Sequence, residues 1–193
     1  LRTELLDMEK EDQDARAAVI KALGEKGISL GEPKPITDPA LAKFFLGETG
    51  KLAAVDKKSR DRLKAIVDRH GWPGRSLVGP DGAHAAWLLV QHADADSAFQ
   101  KRCLDRMRAA PTGEVEGKDI AYLTDRVLVA EKKNQVYGTQ LTGRGGKFVP
   151  QPIEDEANVD KRRAEVGLSP LAEYLKTAQA DYDKLSGKPG EKK

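Results

Sequence analysis

Over most of this chain apolar residues return every three or four positions, the spacing that lines one face of an α-helix, and one glycine-rich stretch interrupts them. Leu5, Met8, Ala15, Val19 and Ala22 form the first series, and Gly24 stops it. Asp38-Pro39 is a cap followed by a favoured first-turn residue, which predicts a short helix over Ala40–Leu46. A stronger helix is expected from Ala54 to Arg69, with Leu63, Ile66 and Val67 inward, ending at His70-Gly71. Trp72-Pro73-Gly74 reads as a rigid turn, and the loop it opens ends near Gly79-Pro80-Asp81-Gly82.

The longest helix is then expected over His84–Ala109, with Leu88, Leu89, Ala95, Phe99, Cys103, Leu104 and Met107 on its inner face. Residues 117–132 read as another helix through Ile120, Leu123, Val127 and Ala130, although 126–131 is short and β-branched enough to be a strand. Gln135–Leu141 and Lys147–Ile153 read as two strands joined by Thr142-Gly143-Arg144-Gly145-Gly146, with Pro150 and Pro152 confining the second to an edge. Residues 156–166 and a last segment with Leu171, Tyr174, Leu175, Ala178 and Tyr182 return to helical spacing. The expected fold is mainly α: one helical domain of about six helices with a small antiparallel hairpin near 135–153. Its parts are an N-terminal helix (1–23), a Gly/Pro-rich connector (24–38), the helical domain (39–185) and a disordered tail (186–193).

Charge narrows the function classes. The formal net charge over 193 residues is +2, and Lys188, Lys192 and Lys193 against Glu191 account for it, leaving residues 1–185 neutral. A nucleic-acid binder held by charge is therefore not expected. No apolar run approaches the roughly 18–20 residues of a membrane span. No basic-then-apolar leader is visible, so a cytoplasmic location is expected. Cys103, the single cysteine, falls within an apolar helical pattern and reads as a small core residue.

Three histidines are available. His84 and His92 are eight residues apart, about 12 Å along one helix, too far to share a metal ion, and no His-x-x-x-His is present, so no metal site is expected. The GRGG loop lacks the strand–loop–helix setting and the Lys-Ser/Thr ending of a phosphate cradle, and no cofactor is expected. His70 suits the C-terminal end of its helix, His84 reads as exposed, and Trp72 and Trp87 read as core anchors. His92 is different, because it lies on the apolar stripe of its helix beside Gln91, with Asp96 one turn on to orient the ring. A polar Gln-His-x-Asp cluster on a core face breaks the local pattern, as functional sites do. A core histidine satisfied by a carbonyl would look the same.

The ordered segments HGWP (70–73), QHAD (91–94), YLTDR (122–126), YGTQ (137–140) and PIEDEANVDKRRAEVGL (152–168) resemble a bacterial family known only as a domain of unknown function. The resemblance spans roughly 54–176. It rests on Gly71-Trp72-Pro73, Gln91-His92, Asp125-Arg126, Tyr137-Gly138, Gln140 and Arg162-Arg163, and does not extend to His70 and His84. It implies no activity, only that these polar groups recur together, as they would around one cleft or in one buried network.

The reading that follows is an enzyme, independent of metal and nucleotide, that acts on a polar small molecule or peptide. His92 would be general acid or base, oriented by Asp125 or Asp96; Arg126 would hold an anion, and Gln91, Tyr137 and Gln140 would bind substrate. The alternatives are a non-catalytic peptide- or metabolite-binding module using the same cleft, and a purely structural network. Neither a nucleic acid nor a membrane is expected as partner; the oligomeric state is left open.

Overall fold

The computed structural model describes residues 1–28, 35–144 and 147–185, so part of the expected connector, Gly145-Gly146 of the loop and the expected tail lie outside the described residues, as does the side chain of Tyr182. Helices dominate: α1 (Arg2–Glu25), α2 (Pro39–His70), α3 (Arg75–Gln91), α4 (Ser97–Arg108), α5 (Gly117–Ala130), α6 (Val159–Glu165) and α7 (Leu171–Leu185). The single described sheet pairs β1 (Leu141–Arg144) with β2 (Lys147–Pro150), antiparallel, with Leu141 opposite Pro150 and Arg144 opposite Lys147. The mainly α fold with one hairpin is as expected. No helix among the described residues is long and apolar enough to cross a membrane.

The core lies where α1, α2, α3 and α4 meet. Leu5 and Met8 of α1 close over Leu63, Ile66 and Val67 of α2 and Ala85, Leu89 and Val90 of α3, while Phe99, Cys103 and Met107 of α4 join Leu123 and Val127 of α5. Burying a side chain of this size is worth about 1.5–3 kcal/mol. The ion pairs over the same seams, such as Arg2–Asp81 and Lys58–Glu11, are exposed, and exposed pairs contribute about 0–1 kcal/mol each. Apolar burial therefore holds α1 in place. Trp72 and Trp87 pack against this core from its rim, half-buried. The Cys103 thiol is buried, which pushes its pKa up to about 12 and removes it as a nucleophile.

Three boundaries differ from the sequence expectation. The short helix at 40–46 and the helix at 54–69 are one helix of 32 residues, started by Asp38, whose carboxylate accepts from the amides of Ala40 and Leu41. Gly47 and Gly50 lie within it, but a glycine costs a helix only about 1 kcal/mol, and no proline follows Pro39 before it ends. Conversely, the helix expected over 84–109 is two. α3 ends at Gln91, and Asp96 starts α4 by accepting from the Phe99 amide at 2.9 Å. The N-terminal part of α3 replaces the expected loop at 74–82, kinked where Gly79 takes φ 74° ahead of Pro80.

The hairpin is shorter than expected. Residues 142–144, placed in the loop by sequence, belong to β1, and 135–140 form no strand beyond one bridge between Gln135 and Ile153. Gly138 explains part of this. It adopts φ 71°, and a Cβ there would lie 2.9 Å from Ile153 Cδ1 and 2.9 Å from Leu171 Cδ1. Gly138→Ala is therefore expected to lower the unfolding free energy by about 2–4 kcal/mol, combining left-handed strain with overpacking. Urea unfolding followed by circular dichroism checks this; a midpoint equal to wild type refutes it.

Candidate functional site

The break between α3 and α4 sets the geometry. Because the helix stops at Gln91, His92 turns toward α1 instead of continuing the inner stripe, and its Nδ1 lies 2.8 Å from Oδ2 of Asp12. Asp12 is fully buried. One turn further along α1, Arg16 places Nε 3.2 Å from the same carboxylate oxygen and 3.0 Å from His92 Nδ1, and its Nη2 reaches Asp56 of α2 at 2.6 Å.

Burial pushes the Asp12 carboxyl up, but hydrogen bonds and charge from His92 and Arg16 outweigh it and hold the group below the ordinary aspartate value. Nδ1 stands between an Asp12 oxygen at 2.8 Å, which can only accept, and the Arg16 Nε–H at 3.0 Å, which can only donate: a proton on Nδ1 serves the first and a lone pair the second. Nε2 carries no hydrogen bond among the described residues, and the side chain is 20% exposed.

A second cluster adjoins the first through Gln91 and Asp94. Arg126 of α5 donates from Nε to Gln91 Oε1 at 2.8 Å and from Nη1 to both Asp94 oxygens at 2.8 and 2.9 Å. Gln100 of α4 donates to Asp94 Oδ1 and to the Val90 carbonyl, closing the turn between α3 and α4. Among the described residues the buried Nε2 of Gln91 has no partner. Asp56 joins the two clusters electrostatically. Burial raises its pKa, Arg16 and His92 oppose that, and Asp12 and Asp94 reinforce it.

The other expected site residues lie in a third cluster. Asp125, adjacent to Arg126 on α5 but about 100° around the helix from it, is fully buried and accepts from the amides of Val136, Tyr137 and Thr139 and from the Thr139 hydroxyl. Tyr137 contributes backbone to this cluster, and the Gln140 amide donates to Gln135 Oε1. The expectation that Asp96 or Asp125 orients His92 is thus corrected. Asp96 is occupied in capping α4 and pairing with Lys64, Asp125 in binding a loop, and the acid at the ring is Asp12. Gln91 and Arg126 do meet, directly.

Asp12, Arg16 and Asp56 were absent from the sequence reading. Asp12 nonetheless follows Met8 at helical spacing, on the stripe that continues to Ala15 and Val19, and an acid on a core face was the available signal. No group of three or more His, Cys, Asp or Glu side chains among the described residues could hold a metal ion.

Fold and site define a small helical domain with a buried acid–histidine pair beside an arginine–amide cluster. The chain belongs to the family of unknown function DUF6624, whose profile matches residues 34–186. No curated protein and no solved structure matches it. The matched span contains His92, Gln91, Asp94 and Arg126 but not α1, so Asp12 and Arg16 reach His92 from outside it.

Two outcomes are expected. Asp125→Ala leaves buried amides unpaired, each costing about 1–3 kcal/mol, so a loss of about 3 kcal/mol or more is expected, with Asp125→Asn less severe. Loss below about 1 kcal/mol in denaturant unfolding would contradict the assignment. Asp12, with a lowered folded pKa, contributes stability that is full above its unfolded value near 3.8 and fades as pH falls through the folded value. The stability gap between wild type and Asp12→Asn should therefore be widest near neutrality and close on acidification; a gap constant down to pH values below that range would contradict it.

Proposed function

We propose that the protein is an enzyme that uses His92 as general acid or base on a polar small molecule or peptide, with Asp12 as the residue that orients and charges the ring. The observation that carries this reading is the buried Asp12 carboxylate at Nδ1, which leaves Nε2 as the nitrogen open to a ligand. In that arrangement the acid orients the ring and would stabilise the imidazolium formed when the ring takes a proton. Arg126 would hold a carboxylate or similar anion by exchanging part of its contact with Asp94, whose side chain is mostly exposed. Gln91 would present its unpartnered amide nitrogen to a carbonyl.

That same free nitrogen supports a second reading, a binding module that recognises an amide or carboxylate without turnover. The two separate on substitution. If His92 is catalytic, mass spectrometry of a metabolite and peptide extract incubated with the protein shows a species consumed by wild type, not by His92→Ala, and slowly by Asp12→Asn and Arg126→Ala. His92→Ala should meanwhile melt within a few degrees of wild type. A binding module retains a ligand and consumes nothing. Equal consumption by wild type and His92→Ala ends the proposal, as does a loss of several kcal/mol in His92→Ala with no ligand or substrate signal in any variant.

A further inference from the structure

On the opposite part of α3, the first turn of α5 and the segment after α4 enclose a cavity of about 200 Å³. Trp72, Pro80, Ala83 and Val115 supply apolar wall, and His84 and Asp119 face it. The carboxylates around it differ in state. Glu114 accepts from the Ser76 amide, and Glu116 pairs with Arg75. Asp119 is 7% exposed, and its carboxylate receives no hydrogen bond or ion pair among the described residues.

A free acid in the first turn of a helix ordinarily caps or points to solvent. Asp119 does neither, and Trp87 binds its backbone carbonyl at 3.0 Å, which fixes the turn and leaves the side chain at the cavity. Burial raises the Asp119 pKa, with the charges of His84, Lys118 and Arg75 opposing it. Lys118, its sequence neighbour, also lines the cavity but makes no bond to Asp119. The cavity therefore offers one unused acceptor beside an apolar wall and the charged side chains of Arg75, Glu114, Glu116 and Lys118.

We propose that this cavity binds a small protonated amine, whose ammonium donates to the Asp119 carboxylate while its hydrocarbon stem lies against Trp72, Pro80, Ala83 and Val115. A charged donor fits better than a neutral one, because it adds opposite charge beside a carboxylate taken largely out of water. An anion would meet three carboxylates, Glu114, Glu116 and Asp119, against two permanent cations, Arg75 and Lys118. The volume lies below the roughly 300 Å³ at which drug-sized ligands fit, which limits the occupant to a few heavy atoms.

The two tryptophans, Trp72 in the wall and Trp87 on the Asp119 carbonyl, report occupancy directly. Titration with n-butylammonium chloride should give a saturable change in tryptophan emission and raise the melting temperature, whereas n-butanol and sodium butyrate at matched ionic strength should do neither. Asp119→Asn should weaken butylammonium binding at least about tenfold, which corresponds to about 1.4 kcal/mol. Ala83→Leu, which fills the cavity from α3, should abolish it even if the first variant folds poorly. His92→Ala should bind butylammonium as wild type does, which keeps this test separate from the acid–base proposal. The inference is overturned if butylammonium gives no saturable response, if butanol or butyrate matches it, or if a folded Asp119→Asn or Ala83→Leu binds with unchanged affinity.

Discussion

One buried carboxylate organises the C-terminal third of the molecule. Asp125 gathers the amides of Val136, Tyr137 and Thr139, so the loop after α5 turns its donors inward. Its carbonyls then face the other way and are taken up by cations and a phenol: Val136 by Arg162, Tyr137 by Arg163 and Thr139 by the Tyr174 hydroxyl. An unpaired amide or carbonyl in this interior would cost about 1–3 kcal/mol, so removing either side strands the other. Gly138 lets Ile153 and Leu171 close over the loop, and Gln135 stitches it to the hairpin through the carbonyls of Gln140 and Gln151. Arg163, fully buried under the Tyr174 ring, supplies positive charge within reach of Asp125, and burial lowers its pKa.

The His92 region follows a different logic. Apolar contacts already hold α1, yet α1 also delivers a buried acid and a half-buried arginine to a histidine at the end of α3, two helices later. Asp12 and Asp56 carry two negative charges, Arg16 one positive, and a protonated His92 would balance the set. The ring is thus held by neighbours that are all fixed on helices, and their meeting depends on the chain leaving helical geometry at His92.

Much of this was legible in the residues. Helical periodicity announced most of the helical regions and the glycine-rich stretch announced the hairpin, because burial of one face leaves a repeating trace, but the opening of α3 read as a loop. Gln91, Asp125 and Arg163 are among the residues of the motif segments that are buried. Their grouping was not legible. Asp125 and Arg126 are neighbours in sequence, but adjacent helical positions face different ways, so one enters the loop cluster and the other reaches Gln91. The partner of His92 lies 80 positions away.

What the sequence determined alone is local: most of the regions that become helix, that Gly138 allows close approach, and that Cys103 is a core residue. Caps and kinks are contests between neighbours of similar energy, which is why α2 ran on through two glycines and the 84–109 helix split at Asp96. The pairing of His92 with Asp12, the gathering of a loop by Asp125 and the stranding of Asp119 against a cavity were decided only by tertiary structure. A side chain's partner depends on which helix faces pack together, and that is settled by the burial of the whole core, not by spacing along one helix.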